Sequence, residues 1–200
     1  MEFIKGMDVS MVKELESYGA VYYLNGKKKD LFQILKECGT NMIRIRIWQD
    51  PYDEAGNVYG GGMNDLQTVI EIAGRASANG MNFLLDFHYS DFWADPAKQM
   101  KPKAWKHLEG KALETAVYLH TVDTLKALKN RNLVPAMVQV GNEITNGLLW
   151  PDGNLEHTDA MFGLLKTGIS GVREQCPQAK VVIHLDFGTD NKMYRKWFDM

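Results

Sequence analysis

The stretch 81–96, MNFLLDFHYSDFWADP, decides the fold. Its first half is an apolar run of strand length, and its second half gathers carboxylates, aromatic rings and an imidazole directly behind that run. Four comparable segments occur elsewhere: FIKGMDVS from Phe3, NMIRIRIW from Asn41, VPAMVQVGNE from Val134 and KVVIHLDF from Lys180. Their β-branched and bulky residues read as buried strands. Helical patterns run between them. Asn64 or Asp65 can cap a helix with Leu66, Val69, Ile70 and Ala73 on one face, and Gly80 can end it. Val117, Leu125 and Leu128 mark the next helix, Met161, Leu164, Leu165 and Val172 the one that Pro177 stops, and KMYRKWFDM at 192–200 starts another.

Strands alternating with helices specify an α/β protein with a parallel sheet, either doubly wound or a (β/α)8 barrel. YGGGMNDL, residues 59–66, is glycine-rich, but it follows a loop and lacks a GK[ST] ending, so it is a weak nucleotide signal. In four of the five strand segments the polar and aromatic residues collect at the C-terminal end. That is the face on which a barrel builds its active site, and it selects the (β/α)8 TIM barrel.

The composition, 45% hydrophobic and 24% charged over 200 residues, is that of an ordinary globular domain. A net charge of -2 gives no footing for nucleic acid. The lysines at 98, 101, 103, 106 and 111, interrupted by Pro102 and Trp105, read as a solvated loop. No apolar run is long enough to span a membrane, and MEFIKGMDVS does not have the pattern of a secretion signal. Cys38 and Cys176 fall near helix ends without metal or redox spacing and are expected to be buried thiols.

Glu143 closes the fourth strand segment behind Asn142. There an apolar barrel wall can keep a carboxyl protonated as a general acid, although a loop-capping or Arg-paired carboxylate fits the same pattern. Arg44 and Arg46 lie two apart and share a face with Trp48. At a barrel mouth they can hold carboxylates ionised and oriented; deeper down, Arg44 fills a layer as a salt bridge. Asp86 with His88, and His184 with Asp186, are His/Asp pairs at period two. No third ligand at fixed spacing supports a metal, so hydroxyl binding is the better reading, with His88 donating to a sugar hydroxyl or a catalytic carboxylate. Asp8 ends the first segment and can complete the polar ring. Trp93 and Trp150 sit in loops beside Asp91, Asp95 and Asp152, a setting suited to stacking on sugar C–H faces while carboxylates take the hydroxyls. Trp105 and Trp197 fit equally well as rings folded back over the barrel.

LDFHYSDFWADP, KPKAW, QVGNEITNGLLWP, IRIRIWQDPYD and YGGGMNDL together resemble the endo-β-1,4-galactanases of glycoside hydrolase family 53, in order along almost the whole chain. The resemblance implies a (β/α)8 barrel acting with retention on β-1,4-galactan and type I arabinogalactan, plant polysaccharides, without a cofactor. It makes Glu143 the acid/base and Asn142 the residue that holds the 2-hydroxyl of the sugar before the cleaved bond. Arg46, His88, Asp186 and Tyr89 would line that subsite. Export to the periplasm or the medium follows from the substrate, and a calcium site known in some bacterial members cannot be placed here.

A retaining mechanism needs a second carboxylate about 5 to 5.5 Å from the first. The family carries it on the seventh strand, and only five strands are legible. Eight βα units at this spacing would need on the order of 350 residues. The expectation is therefore that residues 1–200 are the N-terminal part of one catalytic barrel domain, inactive without the remainder. Asp186 or Asp91 as a substitute nucleophile would come from a strand beside the fourth rather than across from it. A sister β-mannanase or β-glucanase, a sugar-binding protein without turnover and a fragment with no function of its own are the alternatives.

Overall fold

The computed structural model describes residues 3–200. Five strands form one parallel sheet in sequence order: β1 (Gly6–Asp8), β2 (Met42–Ile47), β3 (Asn82–Phe87), β4 (Met137–Val140) and β5 (Lys180–Val182). All five expected strands are present. Helices α1 (Val12–Ser17), α2 (Leu31–Glu37), α3 (Leu66–Ala78), α4 (Gly110–Lys129), α5 (Thr158–Gln175) and α6 (Asn191–Phe198) alternate with them. Each strand pairs only with its sequence neighbour, the arrangement of consecutive βα units in a (β/α)8 barrel.

Strand alternation divides the core into two faces. Ile43, Ile45 and Ile47, with Phe83, Leu85 and Phe87 and with Val138 and Val140, are buried toward the helices. Arg44, Arg46, Asp86 and Gln139 occupy the opposite set of positions. The register sets Asp8 beside Arg44, Arg46 beside Asp86, and Asp86 beside Gln139, so the polar residues form rows across the sheet.

Helix ends follow the local chemistry. Asp65, not Asn64, caps α3, its Oδ1 accepting from the Thr68 amide at 2.7 Å. Gly80, at φ +63, turns the chain out of the helix. On α3 Val69, Ile72, Ala73 and Ala76 are fully buried, while Leu66 and Ile70 are partly buried. Two short hairpins escape the sequence reading, Tyr22–Leu24 with Lys27–Lys29, and Gly147–Leu148 with Gly153–Asn154. Cys176 is buried as expected, but Cys38 is exposed, because it ends α2 on the solvent side. The lysine-rich loop is also more ordered than a solvated loop. Lys101 bonds the Leu108 carbonyl at 2.9 Å and pairs with Asp152 at 2.7 Å, and Lys103 pairs with Asp50 at 2.6 Å.

Under the sheet, His120 of α4 sits edge-on to Phe87, Tyr89 and Trp105, with ring centroids 5.6, 6.3 and 5.7 Å away. Burial pushes its imidazole pKa down to about 4. The unfolded chain takes up that proton near pH 6.5, so between about pH 6.5 and 4 the unfolded state binds more protons and stability falls as pH drops. The loss is on the order of 2–3 kcal/mol. His120→Phe is expected to flatten this limb in urea titrations at pH 7 and pH 4.5; parallel losses in both proteins would contradict it.

Candidate active site

Arg44 is the hub of the barrel face. One guanidinium nitrogen donates to Asp8 Oδ2 at 2.6 Å; the other donates to Asp86 Oδ2 at 2.6 Å and to Asn142 Oδ1 at 2.8 Å. Asp86 is fully buried and takes two further bonds, from Gln139 Nε2 at 2.5 Å and from His88 Nε2 at 3.0 Å. Arg44 thus fills the layer as a salt bridge and also reaches the mouth through Asn142. Burial acts to raise the Asp8 carboxyl, but Arg46, the Ser10 amide and hydroxyl, and Arg44 outweigh it and hold it below the usual carboxylate range.

The histidine protonation states follow from their partners. The Ala94 amide donates to His88 Nδ1 at 3.0 Å, so that nitrogen carries a lone pair and His88 is neutral, with Nε2–H pointing to Asp86. Burial lowers the His184 pKa, Arg44 lowers it further, and Asp86 and Glu143 offset this only in part. His184 is therefore neutral at pH 7, with Nδ1–H donating to Asn142 Oδ1 at 2.9 Å. Asn142 Nδ2 in turn donates to the Ala94 carbonyl at 2.8 Å. Both ends of the Asn142 amide are thereby fixed.

Glu143 follows directly. Gly141 (φ +85) breaks the strand, and Glu143 itself is left-handed at φ +50, ψ +49, a conformation that costs a non-glycine residue about 1–3 kcal/mol and persists only where its surroundings enforce it. A Cβ at position 141 would lie 2.7 Å from Ile144 Cγ2, so only glycine fits that step of the turn. The Glu143 side chain is half-buried, and among the described residues its carboxylate has neither a hydrogen-bond nor an ion-pair partner. It is neither a capped nor an Arg-paired carboxylate.

Other candidates sit where the sequence did not put them. Tyr89 faces the helix layer, stacked on Phe87 at 5.4 Å with its hydroxyl 2.9 Å from Thr121 Oγ1 of α4, so it does not line the barrel mouth. Asp91 braces loops, accepting from the Asp50 amide at 3.0 Å and the Lys103 amide at 2.7 Å. Asp186 bonds the hydroxyl of Thr145, two residues past Glu143, and so supports that turn. Arg46 is buried, and its guanidinium lies 3.9 Å over the Trp93 ring, which takes one indole face away from any ligand. Gly61 crowds Trp93 from the side: a Cβ there would lie 2.6 Å from the indole nitrogen. The YGGG stretch is thus a close-packing surface for a tryptophan. Trp150 donates its indole N–H to the Asn146 carbonyl at 2.9 Å and carries no packed ring or cation among the described residues. Trp105 and Trp197 are buried, as rings folded back over the barrel would be.

Gln139 and Gln99 contribute bonds that the sequence reading missed, and His184 contributes more than its pairing with Asp186 suggested. Gln139 had one available signal, its place two residues from Gly141 on the inward face of a strand. Gln99 had none. Among the described residues no group of three His, Cys, Asp or Glu side chains can hold a metal ion, and no helix is long and apolar enough to cross a membrane.

Five βα units with an Asn-Glu pair raised at the end of the fourth strand define part of a (β/α)8 barrel with a polar mouth. Residues 4–200 match the family model of Glycosyl hydrolase family 53, and the chain belongs to that family. An endo-β-1,4-galactanase of Bacillus subtilis (strain 168) is 48% identical over 184 residues, 92% of this chain and 42% of that protein. An arabinogalactan endo-β-1,4-galactanase of Cellvibrio japonicus is 39% identical, over 92% of this chain and 49% of that protein. The solved catalytic domain of an Ignisphaera aggregans family 53 protein superposes with TM-score 0.95 at 48% identity, covering 98% of this chain and 55% of that one. The chain spans about half the length of the curated relatives it matches.

Proposed function

We propose that these residues form the acid/base half of one catalytic barrel domain, a retaining endo-β-1,4-galactanase acting on galactan and type I arabinogalactan. The observation that carries the reading is Glu143: a carboxyl with no hydrogen-bond or ion-pair partner among the described residues, raised by a left-handed turn beside an Asn142 fixed by Arg44, His184 and Ala94. Similarity to proteins described as endo-β-1,4-galactanases supports the substrate class.

In the proposed reaction Glu143 donates its proton to the glycosidic oxygen as the C–O bond breaks. A carboxylate from the rest of the barrel attacks the anomeric carbon and forms a glycosyl-enzyme. Glu143, now ionised, takes a proton from water, which attacks the same carbon and releases the sugar with retained configuration. No cofactor enters any step. Asn142 takes up a substrate hydroxyl, and Trp150 offers a stacking face; His88, expected from the sequence to meet a sugar hydroxyl, is buried with both ring nitrogens engaged by Ala94 and Asp86, and with Arg46 it supports the mouth from behind. Asp86 is fully buried and out of a substrate's reach, and the nucleophile is expected from the rest of the barrel, so these residues alone are expected not to turn over substrate. A polysaccharide substrate places the working protein outside the cell.

The test is release of reducing sugar from β-1,4-galactan, β-mannan and β-glucan by a polypeptide carrying the complete barrel. Galactan is expected to be hydrolysed at least tenfold faster than the others. Faster hydrolysis of mannan or glucan would move the activity to a sister class, and binding of galactan without any turnover would make this a sugar-binding protein.

A further inference from the structure

Gln99 lies in the loop between β3 and α4 and is buried, only 2% exposed. Its Nε2 is 2.8 Å from the Asn142 carbonyl, 3.3 Å from the Glu143 carbonyl and 3.2 Å from the Asp95 carbonyl. A carboxamide nitrogen has two hydrogens, so the three acceptors share them. Around this bond the loop is joined to the turn that follows β4. The Pro96 carbonyl accepts from Asn146 Nδ2 at 2.9 Å, and the Gln99 carbonyl accepts from the Trp150 amide at 2.7 Å. Of these links, the one from Gln99 reaches Glu143 itself.

We propose that Gln99 is a positioning residue for Glu143: its side-chain amide holds the carbonyls of residues 142 and 143 and so fixes the left-handed turn from which the Glu143 carboxyl projects. The inference rests on Glu143 being the acid/base. A left-handed glutamate is unfavourable by itself, and the orientations of the two carbonyls set the backbone angles that aim its Cα–Cβ bond. Without the amide those carbonyls lose a buried donor and the turn can relax. A displacement of about 1 Å at a reacting group is enough to cost about 100-fold in rate. Gln99 touches no substrate in this account and acts only through Glu143.

The test compares Gln99→Ala, Gln99→Glu and Glu143→Gln in a polypeptide carrying the complete barrel. Each is assayed on β-1,4-galactan and on a dinitrophenyl β-galactobioside, whose leaving group needs no proton. Gln99→Glu keeps the size of the side chain and removes both donors. The Gln99 variants are expected to lose about 10- to 100-fold in kcat on galactan with KM within about twofold, while kcat/KM on the activated substrate stays within about threefold. Equal losses on both substrates, or a raised KM with unchanged kcat, would overturn the proposal in favour of a general structural role. So would failure of both Gln99 variants to fold. Wild-type turnover of galactan by the Gln99 variants beside an inactive Glu143→Gln would overturn it while leaving the role of Glu143 intact. Wild-type turnover by Glu143→Gln would remove the acid/base reading and this inference with it.

Discussion

Replacing Arg44 with leucine is expected to destabilise the protein by about 3–5 kcal/mol, the usual consequence of removing one partner of a buried ion pair. The size follows from what is left behind. Asp86 is fully buried, and Arg44 is the cation that meets it at 2.6 Å. Gln139 and the neutral His88 still donate to Asp86, but neither carries a charge. Arg44→Lys is expected to recover only part of the loss, because one ammonium group cannot meet Asp8, Asp86 and Asn142 in the geometry of a planar fork. Urea unfolding at pH 7 measures both variants. A loss below about 1 kcal/mol for Arg44→Leu would be that of a solvated surface pair and would mean that the network is not what holds these strands in register.

The second large effect falls on catalysis. Glu143→Gln, in a polypeptide with the complete barrel, is expected to lower kcat on β-1,4-galactan by about 10²–10⁴-fold, the span that a positioned acid/base group contributes. The size of the defect depends on the leaving group. A sugar hydroxyl leaves poorly without a proton, whereas a dinitrophenolate leaves without help, so kcat/KM on the activated substrate is expected to remain close to wild type. Far-UV circular dichroism and thermal unfolding check that the isosteric change leaves the fold intact. A loss of the same size on both substrates would take the acid role from Glu143 and leave it as nucleophile, binding or structural residue.

Much of this architecture can be read directly from the chain. The five apolar segments are the five strands, since a parallel strand covered on its outer face must read as an apolar run. The polar residues at their ends meet at one face because the strands are parallel. Arg44, His88 and Glu143 stood out because charge and imidazole are rare at such positions, and Asn142 through its place directly before Glu143. Tyr89 shows how a motif can mislead: period-two alternation sets it opposite His88, beside Phe87, and that is where the ring lies, at φ +51. Asp91 and Trp93 were chosen for being polar or aromatic in a loop, but their partners, Lys103 and Arg46, come from other loops and strands that spacing does not bring together. Gln99 carried no signal, because a neutral amide in a loop becomes informative only when its acceptors, about 43 residues away, are placed beside it. The hairpin at Asn25-Gly26 was passed over although that dipeptide, with φ values of +51 and +74, is a tight primed turn, because its strands are only three residues each and show no alternating run.

Azide rescue is the sharpest test of the proposed acid/base role of Glu143. Glu143→Ala in the complete barrel, given a dinitrophenyl β-galactobioside, should stall as a glycosyl-enzyme, because no base remains to activate water. Azide needs no base: it fits the space vacated by the carboxyl and attacks the anomeric carbon of that intermediate as the enzyme's nucleophile leaves. Restored turnover with a β-galactobiosyl azide product, identified by its anomeric proton coupling, is the predicted result. An α-azide would make Glu143 the nucleophile, and no rescue together with wild-type rates on galactan would show that Glu143 takes no part in the chemistry.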